Sequence, residues 1–396
     1  MSVDIYNFPE LVSSIFAFLF FILLIFKVGK SMKLTKQEVT LIYCWHTLFA
    51  LIFMINDLND GHDASGWFKR GVFDINALDI NALYGNSFMY SFSGLLKSFK
   101  INYIGQNLFY NFLGTTMSCI LYSKVKELCK YNTNKKYLLI ALTLIFLPGL
   151  SFWSSGISKD TICLFGFAVL YYSINNKFNL PLFLTGFIAI ATARPFLLFF
   201  FFLGFSIYIF LEIFFMKHQK FSRKLFNIFI LTLMIIPILI TINLGFKYMS
   251  MAENVMYYKL SDIINVLIDF VNASQRYYAT TTSAAIPHDT FIINRYLYFL
   301  FMPISLKYVG IFNSYFVFEN LFLVSFFFVM IKNIKFNHTN INKLTKIYYI
   351  SILILFLTLP VIFSNYGIAL RYKWLIIPYL LLAFLDLRKT RHEKIK

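Results

Sequence analysis

Four cations, Lys159, Arg194, Arg371 and Lys373, stand beside apolar runs whose far ends already carry the basic clusters of the chain. Lys and Arg that flank membrane spans collect on one side, so cations at the opposite ends run against the usual bias. They also fall at the N-terminal ends of apolar segments, where a helix dipole disfavours positive charge. A position unfavourable on both counts is accounted for by an anion that the cation holds. Arg suits a phosphate, because its planar fork donates two hydrogen bonds and stays charged. The expected anion is the phosphate of a lipid carrier.

Each cation has a local setting. Lys159 and Asp160 end the stretch Pro148-Gly149-Leu150-Ser151-Phe152-Trp153-Ser154-Ser155-Gly156-Ile157-Ser158-Lys159-Asp160, which joins two apolar runs. Pro and Gly interrupt a helix, and small residues let backbone approach a ligand. Ser158 is placed to cap the next helix, whose free N–H groups favour an anion, and Asp160 to orient Lys159. Arg194 precedes Pro195, a residue suited to a first helical turn. Arg371 and Lys373 end the stretch Asn365-Tyr366-Gly367-Ile368-Ala369-Leu370-Arg371-Tyr372-Lys373, and a second guanidinium across the bundle from Arg194 could grip the other phosphate of a pyrophosphate. The competing reading is of interfacial cations that snorkel to the headgroups. Ionisable groups at such depth are more often functional.

Acid–base chemistry has one candidate region, Asn56-Asp57-Leu58-Asn59-Asp60-Gly61-His62-Asp63-Ala64. A carboxylate of Asp57, Asp60 or Asp63 could accept a proton from a hydroxyl or orient it, with the His62 imidazole alongside. The same four side chains could hold a divalent cation, but no Asp-x-Asp pair is present and no metal site is expected. A solvated loop with helix-capping Asp is the competing reading.

The elements that position these residues follow from composition. In 396 residues, 59% are hydrophobic, 14% charged and fifty are Phe. Soluble domains run about 25% charged. The apolar runs are continuous rather than alternating, which excludes a barrel and predicts an all-α, polytopic integral membrane bundle. About eleven transmembrane helices are expected, near 11–28, 39–55, 103–122, 137–153, 159–175, 180–193, 195–215, 225–244, 315–331, 347–363 and 374–387. The chain forms a single polytopic domain, 1–396, with two long outer loops, 56–102 and 245–314, that contain interfacial or re-entrant helices at Ala82–Leu96 and Tyr296–Tyr308. In the second loop Arg276 and Arg295 read as ordinary loop residues, and Glu319 and Asn320 of the ninth span as polar bundle contacts.

Charge sets the orientation. Alternate loops together carry the whole formal excess of +18, and the other set is neutral. That asymmetry places the N-terminus outside and the C-terminus in the cytoplasm, and the spread of charge over short loops argues against nucleic acid. No cleavable signal is visible, so 11–28 reads as a retained span. Cys44, Cys119, Cys129 and Cys163 show no paired spacing, so neither disulfide nor zinc site is expected.

Phe152-Trp153-Ser154-Ser155-Gly156-Ile157-Ser158-Lys159-Asp160, Arg194-Pro195 and Asn365-Tyr366-Gly367 with Arg371, in this order, resemble motifs of bacterial O-antigen and capsule polysaccharide polymerase-like proteins. They also resemble the wider GT-C group of lipid-linked glycosyltransferases. As a pattern of spans the similarity covers roughly residues 39–387, with specificity only in those short stretches. The loop ending in His62-Asp63-Ala64 is similar to the place where GT-C enzymes carry a catalytic Asp, so the resemblance implies that Asp57, Asp60 or Asp63 is the base. Typical GT-C chains start in the cytoplasm; this one departs by starting outside with one extra span.

The resemblance implies a membrane glycosyltransferase or repeat-unit polymerase of the bacterial inner membrane. It would use a polyprenyl-diphosphate-linked glycan among membrane lipids, beside other polysaccharide assembly proteins and with no organic cofactor. Fold likeness alone does not license that function. A lipid-linked oligosaccharide flippase and a non-catalytic scaffold of an assembly complex are the alternatives.

Overall fold

The computed structural model describes residues 8–60, 63–73, 84–131, 135–175, 178–215, 291–302, 314–332, 341–362 and 366–387. These residues are helical and contain no strand. Six helical segments are long and apolar enough to cross a membrane: Val12–Ser31, Lys36–Asn59, Pro195–Ile213, Tyr315–Lys332, Lys343–Ile362 and Tyr366–Leu387. Large side chains on them, such as Phe16, Leu23, Leu41, Phe318 and Phe328, face outward. Lipid tails, which are as apolar as Leu, are a suitable solvent for such a surface.

The chain divides into two compact units. The first is built from α1 (Phe8–Ser31), α2 (Lys36–Asp60), α3 (Asp63–Arg70), α4 (Gly85–Ser98), α5 (Tyr103–Tyr131), α6 (Lys135–Ile145), α7 (Pro148–Ser155), α8 (Lys159–Asn175) and α9 (Leu180–Ala193). Its centre is α5, which runs for 29 residues and packs against α1, α2, α7 and α8. Many of its residues are polar, and Gln106, Asn107, Asn111, Thr115 and Ser118 are buried. In a bundle interior such groups have to pair with neighbouring helices.

The expected span 137–153 is two helices. Phe146 makes the last i−4 bond, Leu147 bonds three residues back to Leu144, and Pro148 opens α7, where a missing N–H costs nothing. The short helix is almost wholly buried. It can come close to α5 because position 114 is Gly: a Cβ there would meet the Ser154 carbonyl oxygen at 1.9 Å.

The second unit contains α10 (Pro195–Phe215) from Phe196 onward, α11 (Ile292–Phe301), α12 (Tyr315–Lys332), α13 (Lys343–Ile362), α14 (Tyr366–Tyr372), a 3₁₀ turn (Lys373–Leu375) and the start of α15 (Ile377–Leu387). Ser351 of α13 donates to the Phe201 carbonyl at 2.9 Å, and Lys343 pairs with buried Glu212 at 2.5 Å. These contacts fasten α13 to α10. Residues 366–373, placed ahead of the expected span 374–387, are themselves helical, so the segment runs from Tyr366 to Leu387 with the 3₁₀ turn inside it. The expected span 225–244 and most of the loop 245–314 lie outside the described residues.

Candidate functional site

The turn between α7 and α8 is held by hydroxyls. Ser158 Oγ accepts from the Thr161 backbone N–H at 3.0 Å, which caps α8 as its sequence implies. Thr161 Oγ1 donates in turn to the Gly156 carbonyl at 2.7 Å. The Ile157 N–H is turned toward Asn107 Oδ1 of α5 at 3.4 Å. The first residues of α8 are thus fixed from both sides.

Lys159 and Asp160 then diverge. The Lys159 ammonium donates to Asn86 Oδ1 of α4 at 2.8 Å and lies over the Trp67 ring of α3, 5.7 Å from its centre. Asp160 is buried and takes a different partner from the one its neighbour suggested: Arg194 Nη2 donates to its Oδ1 at 2.7 Å. Arg194 ends α9 directly ahead of Pro195, as expected, with its guanidinium mostly buried. Asp63, Asp160 and Arg194 all lie within electrostatic reach of Lys159. Two cations and two carboxylates from α3, α8 and the α9–α10 junction therefore form one cluster.

The three loop carboxylates have separate fates. Asp57, near the end of α2, is buried, and the Tyr103 hydroxyl donates to its Oδ2 at 2.5 Å. Asp63 opens α3 and is exposed beside the Lys159 group. Asp60 ends α2, but its side chain and all of His62 lie outside the described residues. Helix α3 links the two places. Phe68 packs edge-on against Tyr103, and Trp67 next to it lies beneath Lys159. Among the described residues no three His, Cys, Asp or Glu side chains converge on a common metal position.

In the second unit Arg371 sits in the last turn of α14, partly exposed. Lys373 is fully buried. Its ammonium donates to Asn320 Oδ1 of α12, lies 5.5 Å from the centre of the Trp374 ring, and has Glu319 within electrostatic reach. Glu319 and Asn320 are the polar bundle contacts their sequence suggested. Arg295 is not a loop residue: it is buried in α11 and donates to the Val361 carbonyl at 3.2 Å. Arg276 and Asn365 lie outside the described residues.

A buried histidine escaped the sequence reading. His46 of α2 is fully buried, with Nδ1 2.9 Å from Ser155 Oγ and Nε2 2.7 Å from Ser118 Oγ. Ser155 already donates its hydroxyl proton to the Ser151 carbonyl at 2.6 Å. Ser155 Oγ must therefore accept from His46, which puts the ring proton on Nδ1 and leaves Nε2 to accept from Ser118. The chain joins α5, α2 and α7 in one direction. A signal for it exists: Tyr103, Asn107, Asn111, Thr115, Ser118, Tyr122 and Lys126 recur along α5 at steps of three or four, one face of a helix. Asn111 reaches Thr47 on this face, and Tyr122 and Lys126 reach Glu38.

Comparison with protein families, with curated proteins and with solved structures finds no match to this chain.

Proposed function

We propose that this chain is a glycosyltransferase or repeat-unit polymerase of the bacterial plasma membrane, acting on a polyprenyl-diphosphate-linked glycan at the outer face. The proposal includes about eleven spans, an outer N-terminus and a cytoplasmic C-terminus. The observation that carries it is the convergence of Lys159, Asp160 and Arg194 with exposed Asp63 at a capped helix N-terminus. A helix start with two cations beside it is suited to a phosphate.

The roles follow from chemistry. Arg194 and Lys159 hold the diphosphate. As the bond between the anomeric carbon and the diphosphate oxygen breaks, negative charge grows on that oxygen, where fixed cations stabilise it most. The acceptor oxygen bonds to the anomeric carbon, and its proton passes to a carboxylate of the 57–63 segment. Asp63 is the open carboxylate beside Lys159, whereas Asp57 is held by Tyr103.

A test uses Lys159→Gln and the double variant Arg194→Gln with Asp160→Asn, which removes the guanidinium without stranding a buried carboxylate. Each is expected to lower glycan chain growth in cells by about 10–100-fold at normal protein levels, the range of one charge-assisted hydrogen bond. Near-normal polymer in both would exclude the diphosphate role.

Transport of a lipid-linked glycan is the second reading. It is favoured by buried Lys373 beside Asn320 and Glu319 at the 3₁₀ break of a candidate span. Ionisable groups and broken helices inside spans mark transport pathways. Movement of labelled lipid-linked glycan across vesicles holding the purified chain, with no change in glycan length, would select it.

A further inference from the structure

We propose that Lys69, Arg70, Val72, Phe99 and Lys100 form a docking surface for anionic phospholipid headgroups, which ties the α3–α4 pair to the bilayer. The starting point is how α4 stops. The Lys100 N–H donates to the Lys97 carbonyl at 2.8 Å and the Ile101 N–H to the Leu96 carbonyl at 3.1 Å, with Lys100 at φ 62°. That helix stop calls for a left-handed residue, usually Gly, because a Cβ is strained there. Among the described residues the left-handed positions other than Gly are Lys100 and Lys33. Lys33 closes α1 in the same way, with the Leu34 N–H on the Gly29 carbonyl at 3.0 Å. Glycine would relax both turns, and each is occupied by a cation beside an apolar segment.

The surface around Lys100 is assembled by backbone contact. A Cβ on Gly94 would meet the Val72 carbonyl carbon at 2.4 Å, so the chain after α3 lies directly on α4. Lys97 pins it there, donating to the carbonyls of Phe68 and Gly71, each at 3.0 Å. Val72, just after α3, is 73% exposed, and Phe99, just after α4, is 69% exposed. Lys69 and Arg70, which precede Val72 in the chain, and Lys100, which follows Phe99, are also exposed. Among the described residues none of the three has an ion-pair partner.

The height of the patch follows from α2 and α5. Tyr103, four residues after Phe99, bonds Asp57 near the end of α2, while Glu38 at the start of α2 bonds Tyr122 and Lys126 of α5. The patch therefore lies toward the Asp57 end of the candidate span Lys36–Asn59, and a span's end is where tails give way to headgroups. Apolar tips rimmed by cations fit that layer: the tips enter the acyl region and the cations meet phosphates. The inference does not depend on the transferase reading.

The test uses the full chain in phosphatidylcholine vesicles with and without phosphatidylglycerol. The added fluorescence of Phe99→Trp over the four native tryptophans should be quenched by lipids brominated on the acyl chain and spared by aqueous iodide. Lys100→Gly should unfold at the same or a higher temperature, because the turn relaxes, yet lose about fivefold in preference for phosphatidylglycerol. Lys69→Gln and Arg70→Gln should each lose a similar factor. Iodide quenching without bromine quenching would overturn the proposal. So would an unchanged preference in Lys100→Gly, or loss of the wild-type preference to inorganic phosphate but not to chloride at matched ionic strength.

Discussion

Asp160 shows how one side chain can change the meaning of its neighbours. Read along the chain it belongs to Lys159; in space its carboxylate lies 2.7 Å from Arg194, and Asn86 holds Lys159 instead. The guanidinium that makes an anion site plausible is thus anchored by a buried carboxylate. Removing one partner of such a pair strands a charge, at a cost of about 3–5 kcal/mol, whereas removing both costs much less. Arg194→Gln alone should therefore unfold at lower temperature in detergent than the Arg194→Gln, Asp160→Asn double variant. Equal destabilisation would mean that the carboxylate is already solvated. His46 follows the same logic without charge: each ring nitrogen meets a hydroxyl, and the Ser151 carbonyl sets the direction of the chain.

At the level of elements, α7 matters most for the site, since the turn after it presents Ser158, Lys159 and Asp160. It is a short helix that could not stand alone, because isolated helices below about 12–15 residues are marginal. Packing on α2 and α5 supplies what length does not. Trp45 Nε1 donates to Ser151 Oγ at 2.9 Å, and Gly114 lets the Ser154 backbone close in. Gly114→Ala places a methyl 1.9 Å from a carbonyl oxygen that cannot move without shifting the helix. It should destabilise by about 1–3 kcal/mol, as overpacked cores do. Gly66→Ala is the contrasting case: nothing lies within 4 Å of its new Cβ, so helix propensity alone acts and stability should rise by about 0.5–1 kcal/mol. Thermal unfolding of the two variants side by side checks this, and a neutral Gly114→Ala would show that α7 is loosely held.

For the whole molecule, charge and hydropathy make a prediction that packing does not. The clusters 27–36, 124–136 and 332–346 should all lie in the cytoplasm, and Lys100, Lys159 and Arg194 outside. Reporter fusions after residues 33, 131 and 342 should read as cytoplasmic, and fusions after residues 100 and 157 as external. The opposite pattern would remove the lipid-carrier reading, since the cations would face the wrong leaflet.

The all-helical build was legible in the sequence, because a continuous apolar run admits few other structures in a lipid solvent. So were the Ser158 cap and the arrest of α9 ahead of Pro195, which are set by neighbours along the chain. The break of 137–153 into α6 and α7 was half legible: Pro148 announces an interruption but not the short buried helix beyond it. Partnership was decided by tertiary structure alone. Asp160 with Arg194, Asp57 with Tyr103, His46 with two serines and Lys373 with Asn320 join residues from 34 to 109 positions apart. A buried polar group must find some partner, and that much comes from composition. Which partner it finds depends on how helices cross, a choice made by close contacts such as that of Gly114 with Ser154.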